Sequence, residues 1–451
     1  MARRLYTLLV LLALPFASCV VLWRGLRERD YWRGWGERLG RGAPLAGTAR
    51  GIWVHAVSVG EVQAASVLVA ALQREWPQLP IAVTSATPAG RARARAAHGA
   101  AVTARYAPYD TPWCVRAALR RLRPALLVII ETELWPNLLN ECARARVPVI
   151  IASARLSARS QSRWARCAAL LRPALADSVT VAAQSAADAA RFSSLGVPAA
   201  RVGVAGNIKF ERVPSAAVRA GGAALRAHYA PARPLWVAGS THAGEEAAML
   251  AAHALVRAQC PAALLVLAPR HRPRFDEVAE LLGRSGLRWL RHSEAGAGRG
   301  SQAAPAADAE VLLLDTIGEL ENFYAAADVA FVGGSLAPIG GHNLLEPAAL
   351  GVPTLAGPSQ GNAPDIARAL TAAGGVRIVY DAAGLGEAVL ALLADAHARA
   401  RMGVAARATV GANRGALAGV LALVRDCLAS PPGPSPDRPA PRQRARPVQR
   451  A

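Results

Sequence analysis

The sequence predicts an α/β protein: two doubly wound, Rossmann-like domains behind an N-terminal membrane-anchor helix. Short runs that are continuously apolar, rather than alternating, recur along the chain, as strands buried on both faces require. Alanine-rich helical stretches separate them, so successive runs make βα units with parallel sheets and right-handed crossovers. At 451 residues, 53% of them apolar, the chain can build two domains with separate cores.

The anchor comes first. MARR precedes LYTLLVLLALPFASCVVLW, which is long enough to span a hydrocarbon core. Pro15 and the lack of a small-residue cleavage site favour a retained anchor over a removed signal peptide. The next segment, RGLRERDYWRGWGERLGRG, mixes arginine with aromatics, the composition of a lipid headgroup layer. The alternative is a buried core helix. Both flanks are basic, so loop charge alone does not fix orientation. The anchor is assigned to residues 1–30.

The first series of strands reads GIWVHAVS, IAVTSAT, ALLVIIE, VPVIIASAR, VTVAAQS and VGVAGNI. The second reads PLWVAGST, ALLVLAPR, VLLLD, DVAFVGGS, PTLAGP and VRIVYD. A break at residues 211–234 separates them, which gives domains at 31–215 and 225–430. HSEAGAGRGSQAAPAADAE, residues 292–310, reads as a loop insertion. The proline- and arginine-rich tail, 431–451, reads as disordered.

Net charge is +21. The basic residues are nearly all arginine, are spread along the chain, and carry no nucleic-acid module signature. Nucleic acid is therefore not expected as a partner, whereas a membrane surface and an anionic ligand are. Cysteines at 19, 114, 142, 167, 260 and 427 form no C-x-x-C pair, so neither a zinc site nor a redox pair is suggested.

In doubly wound sheets, ligands lie beyond the carboxyl ends of the strands. The richest such stretch is FVGGSLAPIGGHNLLEPAALGVP, from Phe331. Its glycines admit close approach to backbone N–H groups, and a helix start favours an anion. Glu346 would repel phosphate but would accept hydrogen bonds from a ribose diol, so the loop reads as a nucleotide site. The competing reading is an acid that only favours the helix dipole. Walker A is excluded because Lys209, the one lysine in the chain, follows isoleucine. No G-x-G-x-x-G stands at a strand end and no D-x-D pair is present, so a metal-bridged diphosphate and a cofactor are not expected.

Three more second-domain loops follow strand ends. GSTHAGEE opens a helix, APRHRPRF places Arg270 and His271 past a strand, and DTIGELENFY presents Ile317, Gly318 and Glu319. Arginine at such a place can fork onto a phosphate. In the first domain, HAVSVGEVQAA puts Glu61 at a helix start, and ALLVIIETELWPN puts Glu131 at a strand end with Glu133, Trp135 and Asn137 beyond. A desolvated carboxylate there could take a proton from an attacking hydroxyl. A dipole-favoured Glu61 and an ion-paired Glu131 are the structural alternatives. One lysine retained among arginines suggests a need for a compact ammonium at 209.

Together these motifs resemble the 3-deoxy-D-manno-octulosonic acid (Kdo) transferases of lipopolysaccharide synthesis. The resemblance runs from LYTLLVLLALP through YWRGWGERLG, HAVSVGEVQAA, ETELWPN, ASARLSARS, GNIKF, GSTHAGEE, PRHRPRF and DTIGEL to GGHNLLEPAALGVP. It implies a GT-B glycosyltransferase that moves Kdo, with inversion and without metal, from CMP-Kdo to a lipid A precursor, lipid IVA. It also implies attachment to inner-membrane lipids with the catalytic domains on the cytoplasmic face. By the family pattern Glu61 is the general base, and Glu131 and Lys209 support the transition state. Pro269 and Arg270, Ile317 to Glu319, and Asn343, Leu344, Leu345 and Glu346 match the CMP-binding segments. SQGNAPDIARAL departs from the aromatic and Asn-Phe segment usual after PTLAGP, so contacts near 359–364 should differ. The rival readings are a GT-B transferase or epimerase using a UDP-sugar, and a non-catalytic membrane-bound protein that binds nucleotide or lipid.

Overall fold

The apolar runs form strands and the alanine-rich stretches form helices throughout the described residues, 2–45, 47, 49–295 and 308–429, of the computed structural model. The tail assigned to 431–451 and the middle of the 292–310 segment lie outside the described residues; His292–Ala295 is a single helical turn rather than loop. The chain divides into two units, Met1–Glu211 with the chain from Arg414 onward, and Arg212–Asn413.

In the first unit the strands are β1 (Gly51–His55), β2 (Ile81–Ser85), β3 (Val102–Tyr106), β4 (Pro124–Ile130), β5 (Val149–Ala154), β6 (Val179–Ala183) and β7 (Val202–Val204). They form one parallel sheet in the order β3-β2-β1-β4-β5-β6-β7. Alternate residues of β4 fill two separate cores, Leu127 and Ile129 on one face, Leu126, Val128 and Ile130 on the other. This is why its sequence is apolar throughout. The βα turns end in hydroxyl caps: Ser58, Thr87, Thr111 and Ser185 each accept the N–H three residues on. Strand β3 was absent from the expected set. It is an edge strand reading VTARY, and an edge needs no apolar residues on both faces.

The helix Ala416–Ala429, expected in the second domain, packs in the first unit. Val420 and Val424 are fully buried with Ile52, Val54 and Leu68. Glu211 fixes its start by accepting the N–H groups of Gly415 (2.7 Å) and Leu417 (3.0 Å). The N-terminal helix Ala2–Arg27 is long and apolar enough to cross a membrane. Both its ends are tied to this unit. Arg3 donates to Asn140, Tyr6 to Asp110 and Thr7 to Asn137, and at the other end Trp32 donates to the Leu22 carbonyl while Tyr106 holds Asp30. Leu5, Leu12, Phe16 and Leu26 are exposed along it.

In the second unit β8 (Leu235–Thr241), β9 (Leu264–Pro269), β10 (Trp289–Arg291), β11 (Val311–Leu313), β12 (Val329–Val332), β13 (Thr354–Ala356) and β14 (Val376–Ile378) form a second parallel sheet. Its order is β10-β11-β9-β8-β12-β13-β14. Again the unexpected member, β10, is a short edge strand, flanked here by Arg288 and His292. Trp236, Leu265, Leu267 and Phe331 form the centre of the core with Met249 and Val256.

One buried carboxylate binds the loops after β8 and β12. Glu245 opens the helix Glu245–Gln259 and is 2% exposed. Its oxygens accept the main-chain N–H groups of His242 (2.9 Å), Gly334 (2.7 Å), Ser335 (3.0 Å), Leu336 (2.9 Å) and Ala337 (3.2 Å). Removing it strands these donors. Glu245→Ala should cost about 3 kcal/mol or more of stability, read from urea midpoints. A change below about 1 kcal/mol would mean that water replaces the carboxylate without loss.

Candidate active site

In the first unit β1 lies between β2 and β4, so the sheet winds in opposite directions on either side of the β1–β4 gap. Ligands of such sheets gather at the carboxyl ends flanking that gap. Glu61 follows β1 and Glu131 follows β4. The first carries the capping geometry of its helix: its N–H donates to Ser58 (3.2 Å), Ser58 Oγ donates back to its carboxylate (3.0 Å), and Val57 N–H donates to the other oxygen (2.8 Å). A cap alone would favour the charged form. Burial instead pushes the Glu61 carboxyl up to about 7, and the nearby Glu133 and Glu131 push it the same way against the two hydrogen bonds.

Glu131 leaves β4 with φ 63°, a left-handed conformation rare for a residue with a side chain. Its carboxylate meets the Lys209 ammonium at 2.6 Å. Beside it Ser153, at the irregular end of β5, has φ 53°. Strain of this kind persists only where the surroundings impose it, and here a polar net does so. Ser153 Oγ accepts the Ile208 N–H (3.1 Å) and donates to Asn207 Oδ1 (3.3 Å), which in turn accepts the Lys209 N–H (2.9 Å). Gln184 closes the net by donating to the Ser153 carbonyl and accepting from Asn207. Glu133 accepts the Trp135 indole N–H at 2.7 Å, and its carboxyl is raised chiefly by burial and then by Glu131. Trp135 packs edge-on against the buried His55.

Glu131 and Lys209 are thus in direct contact, with Glu61 close enough for its charge to be coupled to Glu131. Asn137 has a different part: its side chain is buried, donates to the Asp110 carbonyl and accepts from Thr7. Ser153, Asn207 and Gln184 were not singled out from sequence. Asn207 stands two residues before Lys209 in GNIKF, and that proximity was the available signal.

In the second unit the expected loops leave β11, β9, β8 and β12, which are consecutive in the sheet. Pro269 ends β9 and is buried; Arg270 donates its N–H to the Thr241 carbonyl (3.0 Å) and its side chain is exposed. Ile317 is exposed, Gly318 has φ 99°, and Glu319 accepts from Thr316 and lies 3.5 Å from His292. Asn343 donates to Glu346 at 3.2 Å, and Arg212, forked onto Glu321, approaches Glu346 at 3.7 Å. The Leu344 and Leu345 side chains are buried in the core, so these two can offer a ligand only their main chain.

The glycines serve a different purpose from the one expected. The N–H of Gly333 goes to Gly239, that of Gly334 to Glu245, that of Gly340 to Ser359 and that of Gly341 to Gly334. They shape the loop, with φ of 66°, 103° and 74° at Gly334, Gly340 and Gly341, rather than present amides to a ligand. Past β13 and β14 lies an open depression of about 650 Å³ that includes Pro358, Gln360, Gly361 and Tyr380. It takes in part of the 359–364 segment.

A family model described as 3-deoxy-D-manno-octulosonic-acid transferase (kdotransferase) matches residues 33–212. The 3-deoxy-D-manno-octulosonic acid transferase of Haemophilus influenzae is 37% identical over 430 residues, 95% of this chain and 99% of its own. The chain belongs to the 3-deoxy-D-manno-octulosonic acid (Kdo) transferase family. A second member, from Bordetella pertussis, is 39% identical over 446 residues, 95% of this chain and 100% of its own. Among solved structures, UDP-GlcNAc 2-epimerase from Neisseria meningitidis bound to UDP-GlcNAc is 14% identical, with TM-score 0.56 over 84% of this chain and 100% of its own. Anabaena Alr3699/HepE with UDP and glucose is 16% identical, with TM-score 0.51 over 85% and 100%. At that identity the two show the GT-B-like fold alone, in agreement with the fold class that the sequence predicts for this Kdo transferase family member.

The Glu61 carboxyl gives a test by linkage. Its folded value of about 7 stands above the reference of 4.5, so the folded state holds its proton more tightly than the unfolded chain. Its contribution to stability is complete below the reference value and is lost as pH rises through the folded value. Glutamine can keep the contacts to Val57 and Ser58 without the charge. Glu61→Gln should therefore match wild type at pH 4 and exceed it by on the order of 2 kcal/mol at pH 8, measured by urea unfolding. Equal differences at both pH values would mean that Glu61 is an ordinary acid.

Proposed function

We propose that this chain is an inverting, metal-independent glycosyltransferase that moves Kdo from CMP-Kdo to the lipid A precursor lipid IVA, with Glu61 as general base. The observation that carries the assignment of the base is a carboxyl held near neutrality beside the Glu131–Lys209 pair. A base poised near the working pH is both available as carboxylate and able to take a proton. The 37% identity to a named Kdo transferase across 95% of the chain supports the donor sugar.

In the reaction an acceptor hydroxyl attacks the anomeric carbon of Kdo from the side opposite the phosphate. Glu61 takes the hydroxyl proton as the new C–O bond forms. The bond from that carbon to the phosphate oxygen breaks, and its electron pair leaves with CMP, which inverts the configuration. The CMP phosphate gains charge, and we assign that charge to Arg270, a reading supported by its exposed position past β9. Lys209, oriented by Glu131, supplies a compact cation for an anionic group of the substrates. Glu346, held by Asn343, is the acceptor for the ribose diol. The exposed apolar side chains of the N-terminal helix, with the chain's net charge of +21, support attachment to an anionic inner membrane from its cytoplasmic side.

The full chain incubated with CMP-Kdo and a tetra-acylated lipid A precursor should yield a lipid heavier by Kdo, resolved by mass spectrometry, and chelators should leave the rate unchanged. Thermal protection by CMP and not by UDP is expected; the reverse would assign a UDP-sugar donor. Glu61→Ala should lower kcat by about 10²–10⁴-fold while CMP affinity stays within about threefold, a change below 0.7 kcal/mol. Unchanged turnover would remove Glu61 as base.

A further inference from the structure

The second sheet reverses its winding between β8 and β12, and each of those strands sends a histidine from its following loop to the same place. His242 Nε2 and His342 Nε2 lie 2.8 Å apart. The rings are nearly parallel, 8° between planes, with centroids 5.0 Å apart. This is the spacing of an end-to-end, in-plane N–H···N hydrogen bond rather than of face-to-face stacking. Such a contact needs one ring to donate and the other to accept. If both rings were imidazolium, two N–H groups would oppose each other. The pair can therefore carry one positive charge and no more.

The site is built for the rings. Gly334 has φ 66°, and a Cβ there would come within 2.7 Å of His342 Cδ2 and 3.6 Å of His242 Cδ2. The charged groups around the pair come from the loops after β8 and β9. The loop after β9 contributes His271, edge-on to His242 with centroids 5.3 Å apart, together with Arg270 and Arg274. Arg274 is paired with Glu246. Glu245, from the loop after β8, is the one carboxylate among the groups that act on His342, and its oxygens accept five main-chain N–H groups. Burial, followed by Arg270 and His242, holds His342 down to about 4, which opposes a second charge on the pair. Arg270, the arginine proposed for the phosphate, and at most one shared proton thus face the ligand side.

We propose that the His242–His342 pair is a proton-linked part of the nucleotide site: it takes one proton from solvent as the phosphate of a nucleoside monophosphate binds and releases it when the nucleotide leaves. During transfer the donor phosphate goes from one negative charge to two as the sugar–oxygen bond breaks. A pair that becomes cationic with the phosphate in place matches that added charge, and Glu61 alone takes the acceptor's proton. The pair forms no covalent bond and consumes no proton over a cycle. His242 and His342 are here positioning residues for the leaving group. The inference rests on the proposed placement of the CMP phosphate at Arg270.

Calorimetry of CMP binding to the full chain at pH 7.5, in Pipes and in Tris, reads proton exchange directly, because the two buffers differ in ionisation enthalpy. Wild type should take up on the order of 0.5 proton per CMP, and CMP affinity should rise with falling pH by reciprocity. His342→Gln should bind CMP with uptake reduced to below about 0.1 proton. Histidine ring resonances of the wild-type chain, titrated with and without CMP, give the same answer without a variant: the His342 titration must move upward when CMP binds. CMP bound with no buffer dependence, or with equal uptake in wild type and His342→Gln, overturns the inference and leaves the donor reading intact. Failure of wild type to bind CMP at all overturns the donor reading itself.

Discussion

At the carboxyl ends of β1 and β4, and again at those of β8 and β12, neighbouring crossovers run to opposite faces of the sheet, so no helix closes over the gap between the loops. Each unit has one such place, and the proposed chemistry is distributed between the two. In the first unit the gap collects Glu61 and Glu131. In the second it collects His242 and His342. Parallel strands buried on both faces leave their polar ends as the one part of the sheet where titratable side chains can approach each other without disturbing the core.

Buried carboxylates appear repeatedly, and their surroundings decide what each does. Glu245 accepts five main-chain N–H groups and so replaces the anion that the loop after β12 would otherwise attract. Asp188 does the same on a smaller scale, with Leu156 N–H, the Ser185 hydroxyl and Arg191 as partners. Glu61 also accepts two hydrogen bonds, but its near neighbours are the carboxylates Glu133 and Glu131. Hydrogen bonds alone would make it a structural acid like the others. Burial, reinforced by like charge, makes it titrate in the range a base needs.

The central strands were legible because burial on both faces forces apolar runs, and the loops at their carboxyl ends followed from the same rule. The edge strands β3 and β10 were not, because Arg105 and Arg291 interrupt their apolar runs: Arg291 pairs with Asp276, and Arg105 is buried with the Glu37 carboxylate near it. The return of Ala416–Ala429 to the first unit was also hidden: Val420 and Val424 carry the spacing of any helix that buries one face, and spacing does not say which core receives it. At the candidate site, Glu61, Glu131 and Lys209 stand out by residue type and position, and Glu131 and Lys209 are in contact. The net of Ser153, Asn207 and Gln184 could not, since it joins three separate turns through contacts that leave no periodic trace. The loop glycines were visible and misread. Sequence shows where a backbone can bend but not which acceptor its N–H groups will find, and here the acceptors are the chain's own Glu245, Ser359 and main-chain carbonyls.

The same distinction applies to charge. A net +21 suggests one large anionic partner, yet many arginines are occupied within the fold. Arg50, Arg123, Arg201 and Arg399 donate to main-chain carbonyls, and Arg212, Arg226 and Arg274 pair with carboxylates. The guanidinium suits these tasks because its several donors fan out in one plane and reach two acceptors at once. At position 209 the geometry differs. Glu131 is held in a left-handed conformation and presents one oxygen at 2.6 Å. A single ammonium on a flexible stem meets that oxygen end-on. The Lys209 side chain stays partly open to solvent, and its N–H is held by Asn207. A chain that uses arginine at every other basic position keeps lysine where the demand is for a compact charge.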